Sequence, residues 1–373
     1  MDNIKLKQED IIKEAELWGY NQSYKKKYLH LYKNKILLDV GMGAGPHSVI
    51  YANMGVKKYI GVDPLINTDH VRDFRYTASD PLEKQYHKFK YNCYDIMNTF
   101  PNIKLISDIL ENTNIVESTD VCMMAAVTEH LQDLPTVFKC IYNSLKKDGI
   151  LWFSHCNYYS WVGHHEPPRE VKDYDSNNPK HNDVIDWKHL EPSHPCYNDT
   201  NMNRVRLQDL YDLTNKYFMI NSWKESRMAN ERLTKSIREK YSKYSLNELL
   251  SRTIFVTCTK RDIPLDIDLS KRQMHHPNEN YIVSNLPINL DSIKHAVYFT
   301  EHKQIVSHST NNYYGNNLLA NYKKGDVIKL NKSNDYIEFN IVNKTEKDKK
   351  VVLYFSNNLN KELIKNRRDW VII

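Results

Sequence analysis

Three groups of residues have types and spacings that could do chemistry. The first is the run Leu38-Asp39-Val40-Gly41-Met42-Gly43-Ala44-Gly45. Glycines at alternate positions let the chain turn tightly and let a ligand approach the backbone. The pattern is Gly-x-Gly-x-Gly followed by Pro46, so the dinucleotide form Gly-x-Gly-x-x-Gly is not met. Asp63 stands 22 residues beyond Gly41, where a carboxylate can accept both hydroxyls of a ribose. The second group is Glu129-His130, directly after an apolar run that ends at Ala126. The third is rich in histidine: His155, then Trp161-Val162-Gly163-His164-His165-Glu166-Pro167-Pro168-Arg169, then His181, His189 and His194. Imidazoles can take a proton from a hydroxyl or ligate a metal.

These residues sit on a regular alternation of elements. Short apolar runs at Lys35–Val40, Lys58–Val62, Lys104–Ile106, Asp120–Ala126 and Ile150–Ser154 read as strands. Helical spacing separates them at 47–54 and 134–145, the latter stopped by Lys146-Lys147-Asp148-Gly149. Strands alternating with helices make a parallel sheet covered on both faces. The expected fold is therefore α/β, a doubly wound, Rossmann-like sheet. Met219–Trp223 and Thr253–Thr259 add an antiparallel edge after a helix at 208–217, giving seven mostly parallel strands. A charged helical segment, 226–250, lies between them. Ligands of such sheets bind beyond the carboxyl ends of the strands, and each of the three groups follows a strand there.

The run LDVGMGAG followed by YIGVDP resembles the class I S-adenosylmethionine-dependent methyltransferases. The likeness continues in order through Ser107-Asp108-Ile109, the segment Asp120 to Leu131, and Leu145–Phe153. It implies that Asp39, Gly41, Gly43 and Gly45 hold the methionine end of S-adenosylmethionine and that Asp63 holds its ribose. It places Asp108 and Ile109 at the adenine, and Ala126, Glu129 and His130 on the sulfonium side. For Glu129 and His130 two roles stay open, packing beneath the cofactor or contact with substrate, proton or divalent ion.

Methyl transfer needs an aligned, deprotonated acceptor. The insertion 157–206 could serve as a base with an aromatic platform (Tyr158, Tyr159, Trp161, Trp187, Tyr197) for a sugar ring, as a metal site, or as a loop bonded to itself. The candidate bases are His164 and His165, with His194 next; no metal ligands are assigned. Arg169 could pair with Glu166 or grip an anionic acceptor. The Gly-His-His-x-Pro-Pro-Arg segment looks like bacterial methyltransferases of surface-polysaccharide loci, which implies O-methylation of a sugar or glycan-linked acceptor. Rival readings are methylation of a non-sugar metabolite and a catalytically silent scaffold.

Composition removes other classes. The charge of +6 comes from 52 basic and 46 acidic residues without a dense basic stripe, so no nucleic-acid partner is expected. No apolar run reaches 18 residues, and Met1–Gly19 lacks the apolar core of a signal peptide. Six cysteines without CxxC spacing fit reduced thiols in the cytoplasm. The expected divisions are an N-terminal helical segment (1–34), the methyltransferase domain (35–262), a linker (263–277) and a smaller all-β, sandwich-like domain (278–373). The last third, from 263, carries Lys271-Arg272, Lys323-Lys324 and Arg367-Arg368, and its alternating Ile337, Phe339 and Ile341 mark a half-buried strand. These charges either protect the edges of a sandwich from aggregation or dock an anionic glycan, a glycosyltransferase or a second subunit, with His275-His276-Pro277 and Tyr313-Tyr314-Gly315 as contact candidates.

Overall fold

The computed structural model describes residues 6–20, 29–76, 80, 82–198, 202–270 and 272–273, and beyond them the backbone of six strands between 295 and 372. Seven strands build one sheet: β1 (Ile36–Val40), β2 (Lys58–Val62), β3 (Ile103–Ile106), β4 (Thr119–Ala125), β5 (Leu145–Cys156), β6 (Phe218–Arg227) and β7 (Ser251–Lys260). Their order is β3-β2-β1-β4-β5-β7-β6. The first five run parallel, and β7 is antiparallel to both neighbours. The chain winds outward from β1 in both directions, so the crevice between the ends of β1 and β4 is the topological switch point.

Side-chain alternation divides the core. Leu38 and Val40 face one side with Cys122, Met124 and Phe153, under helices Leu134–Ser144 and Leu207–Tyr217. Leu37 faces the other with Val121, Met123 and Trp152, under helices Gln8–Leu17, Pro46–Asn53 and Cys93–Thr99. Strands buried on both faces explain why the runs read as continuously apolar.

Some boundaries differ from the sequence reading. The strand expected from Ile150 begins at Leu145, and the positive φ (58°) falls on Asp148 rather than Gly149. The segment 226–250 is mostly strand end and three short helical pieces. A two-stranded ribbon, Val71–Arg72 with Tyr86–His87, carried no periodic signal because each strand is two residues long.

The insertion after β5 is not an open loop. Its aromatic residues form a third core with Leu249 and Leu250, in which Trp161 and Trp187 are wholly buried. Tyr158 and Tyr159 are also buried, and their hydroxyls donate to the carbonyls of His189 and Arg204. Arg206 and Glu248 join the insertion to the end of the sheet through a buried two-point pair, 2.5 and 2.7 Å.

Residues 263–273 return to the sheet domain: Leu265 donates to Lys216, and the backbone N–H of Gln273 donates to the buried carboxylate of Asp209. The six later strands, β8 (His295–Thr300), β9 (Gln304–Ser309), β10 (Val327–Lys332), β11 (Asp335–Lys347), β12 (Lys350–Phe355) and β13 (Val371–Ile372), pair antiparallel in the order β8-β9-β12-β11-β10-β13. Lys271, His275-His276-Pro277, Tyr313-Tyr314-Gly315, Lys323-Lys324 and Arg367-Arg368 lie outside the described residues, as do residues 1–5 and 21–28 of the N-terminal segment. All six cysteines are free thiols, and among the described residues no helix is long and apolar enough to cross a membrane.

Candidate active site

The glycine turn has the geometry its composition implied. Gly41, Gly43 and Gly45 have φ of +73°, +67° and +95°, a region costly for other residues. Gly41 donates to the carbonyl of Val62 at 2.8 Å, tying the turn to β2. A Cβ on Gly41 would meet the Val127 side chain at 2.4 Å. A Cβ on Gly43 would meet nothing within 4 Å, so the space over Gly43 is open to a ligand. Gly45 ends the turn at the start of helix Pro46–Asn53.

The acids are placed around this turn. Asp39 is buried and accepts from the Tyr59 hydroxyl at 2.6 Å. Asp63 accepts from the backbone of Gly43 at 2.9 Å and of Leu65 at 2.8 Å, so its carboxylate is locked at the end of β2. Asp108 accepts from the Ile109 N–H and the Asn112 amide, both at 2.8 Å, while Ile109 is exposed beside it. These positions suit a ligand with a cationic, amino-acid-like end at Asp39, a hydroxylated ring at Asp63 and a flat apolar group at Ile109. S-adenosylmethionine has those three parts, and the open space at Gly43 admits it.

A cavity of about 730 Å³ opens at the switch point. Asp39, Gly41–Ala44, Met123, Ala125, Ala126, Trp152 and Ser154 form its floor. Ala126 has φ +54° and donates to the Ser154 hydroxyl at 2.9 Å, which fixes this edge. The opposite wall was missed from sequence: Tyr20, His47, His70, Arg72, Phe74 and Tyr86. Tyr20 lies edge-on to His47 (4.6 Å) and Phe74 (4.9 Å), and His70 stacks on Tyr86 at 4.1 Å. The buried Asp73 holds this wall, accepting from the Arg75 guanidinium at 2.6–3.1 Å and from its backbone N–H at 2.9 Å. Arg72 ends a two-residue strand and Phe74 opens the turn after Asp73, and both line the cavity. The Arg72 guanidinium sits 5.6 Å from the Phe74 ring centre, and its buried Nε has no hydrogen-bond partner. The signal available was the density of His, Arg and aromatic residues in 70–76, just past the second strand.

The insertion's histidines do not line this cavity. His164 is buried against His189, with ring centres 5.4 Å apart. Its Nδ1 accepts from the Glu166 N–H at 3.0 Å, so the neutral ring carries its proton on Nε2 and offers no lone pair there. Burial, aided by His189 and Arg169, lowers its pKa to about 2. His194 braces its own loop, Nε2 donating to Asp183 and Nδ1 accepting from Cys196. His165 turns the other way from His164, with φ +58°, toward His130, Glu129 and Cys156. Burial, then the Arg169 charge, lowers its pKa to about 3. Bases that weak take few protons near neutrality. Glu129 is buried, and burial raises its pKa; His130 is exposed. Glu166 makes no ion pair with Arg169 within 4 Å among the described residues; instead Glu170 engages Arg252.

A seven-stranded, doubly wound sheet with a glycine turn at its switch point and an acid ending β2 defines a nucleotide-cofactor-binding α/β fold. Residues 18–217 match the family described as "Methyltransferase domain", which covers more than half of the chain. The chain belongs to that family, and its cofactor is S-adenosylmethionine. No curated protein matches the sequence. Similar solved structures include a Listeria monocytogenes protein assigned as an S-adenosylmethionine-dependent methyltransferase, 18% identical over 65% of this chain and 99% of that one (TM-score 0.40). Another is an S-adenosylmethionine-dependent methyltransferase of Mesorhizobium loti, 12% identical over 64% and 98% (TM-score 0.37). The YcgJ protein of Bacillus subtilis is 14% identical over 64% and 97% (TM-score 0.36).

Proposed function

We propose that the chain O-methylates a small, anionic, hydroxyl-bearing acceptor, a sugar or glycan-linked group, held between the glycine turn and the wall of His70, Arg72, Phe74 and Tyr86. The observation that carries this reading is the cavity wall itself: a guanidinium, two imidazoles and several aromatic rings face the turn across a small-molecule space. S-adenosylmethionine supplies an electrophilic methyl group on a sulfonium. Asp39 and the glycine backbone orient that end, and Asp63 fixes its ribose. Arg72 lacks an acceptor for its buried Nε and pairs with an anionic group of the acceptor, such as a sugar carboxylate or phosphate. Half-exposed Phe74 offers a face for a pyranose at the mouth. His47 or His70 takes the proton from the attacking hydroxyl. The apolar floor of Met123, Ala125 and Trp152 excludes water from the transfer path. The strands beyond residue 295 serve as an accessory unit, and the reaction takes place in the cytoplasm.

The test is transfer of labelled methyl from S-adenosylmethionine to three acceptor sets: acidic or phosphorylated sugars, neutral sugars, and phenols. The proposal expects turnover with the first set and an Arg72→Gln enzyme with KM raised tenfold or more. Turnover confined to phenols, or an Arg72→Gln enzyme with unchanged KM, would refute it.

A further inference from the structure

We propose that Glu129, Cys156 and His165 form a binding site for a divalent transition-metal ion of the zinc class, at the rim of the cofactor cavity. The inference goes beyond methyl transfer and does not rest on it. A carboxylate oxygen, a thiol sulfur and an imidazole nitrogen from these three residues all lie within 4.8 Å of one another. Such a mixed set selects zinc-like ions; magnesium and calcium want oxygen alone. Three separate segments converge to make it: the turn after β4, the end of β5, and the insertion, where the positive φ of His165 turns the backbone at that residue. No spacing in the sequence showed it, because the ligands are 27 and 9 residues apart and lack a motif.

The surroundings fit a cation. Glu129 is 1% exposed. Buried carboxylates are paired or ligate metals, and the thiol of Cys156 and the ring of His165 lie beside this one. A thiol proton shared with a carboxylate stands where a metal ion would replace it. Glu129 and a Cys156 thiolate would balance a dication. Of the two arginines near His165, Arg252 is engaged by Glu170, which offsets its charge. Three protein ligands with an open fourth position are the pattern of reactive rather than structural zinc. None of the three lines the cavity itself, but each of two segments that carry them does. Alternation along β5 puts Cys156 on the same face as Ser154, which lines the cavity, and Glu129 follows three residues after cavity-lining Ala126. An oxygen anion is the fourth ligand such a site would take.

The test uses the full chain, stripped with chelator and titrated with Co²⁺ and then Zn²⁺. The proposal expects one cobalt per chain, a thiolate-to-cobalt charge-transfer band, and displacement by zinc. Cys156→Ser should abolish the band, while Cys140→Ser, in helix Leu134–Ser144, should keep it. Glu129→Gln and His165→Asn, checked for folding by circular dichroism, should each weaken cobalt binding tenfold or more. No band in the natural chain, a band that survives Cys156→Ser, or folded Glu129→Gln and His165→Asn chains with unchanged affinity would overturn the site.

Discussion

Adding one methyl group at Gly41 or at Gly43 should produce two different failures, although the glycines are two residues apart in one turn. Both have positive φ, so alanine at either costs about 1–2 kcal/mol of folding stability. At Gly41 the new methyl also meets Val127 carbons at 2.4 and 2.5 Å, and forced overpacking adds about 1–3 kcal/mol. Gly41→Ala should therefore lose about 2–5 kcal/mol in denaturant unfolding, and Val127→Ala in the same chain should restore part of it. At Gly43 nothing of the protein stands within 4 Å, so Gly43→Ala should lose only the backbone cost. Its methyl instead occupies space assigned to the cofactor and pushes it off the turn, at about the cost of one hydrogen bond, 1–3 kcal/mol. S-adenosylhomocysteine, measured by calorimetry, should bind Gly43→Ala about 5- to 150-fold more weakly. Equal destabilisation of the two variants, or full-strength binding to Gly43→Ala, would refute this account of the turn.

Other expectations follow from single contacts. Asp63→Ala should weaken S-adenosylhomocysteine by about 1–3 kcal/mol by calorimetry, the scale of a lost charge-assisted hydrogen bond. His47→Asn or His70→Asn should lower turnover by about 10²–10⁴ while leaving cofactor affinity intact, whereas His194→Asn, whose ring only braces a loop, should leave turnover near normal. Glu248→Ala strands the buried Arg206 guanidinium and should cost about 3–5 kcal/mol in urea unfolding. Asp73 is held below the usual carboxylate range, chiefly by hydrogen bonds from Arg75. Its contribution is complete above the unfolded carboxylate value of about 3.9 and is lost as pH falls through the lower folded value. Thermal melts should therefore show natural chain and Asp73→Asn converging as pH falls below about 4.

What could be read from the sequence was whatever depends on local pattern. Leu37 and Leu38 are both apolar because the sheet is covered on both sides, and Asp63 ends a strand where chain and chemistry change together. The glycine turn was legible because no other residue takes those angles cheaply. The histidine-rich insertion was not, because residue type does not report burial. Trp161 and Trp187 read as surface for a sugar, yet they close a core with Leu249 and Leu250, some 60 to 90 residues later in the chain. His164 and His194 looked like bases because a ring's hydrogen-bond partners are tertiary facts. The wall of His70, Arg72, Phe74 and Tyr86 was missed for the opposite reason: two-residue strands leave no period. Glu129, Cys156 and His165 meet only when three segments are folded together.

The space over Gly43 is built for S-adenosylmethionine. This assignment is tested most directly by titrating the full chain with S-adenosylhomocysteine and, separately, with NAD(P)H in a calorimeter. One molecule of S-adenosylhomocysteine should bind per chain, more weakly after Asp63→Ala, and NAD(P)H should give no heat. Binding of NAD(P)H alone, or of neither, would contradict it.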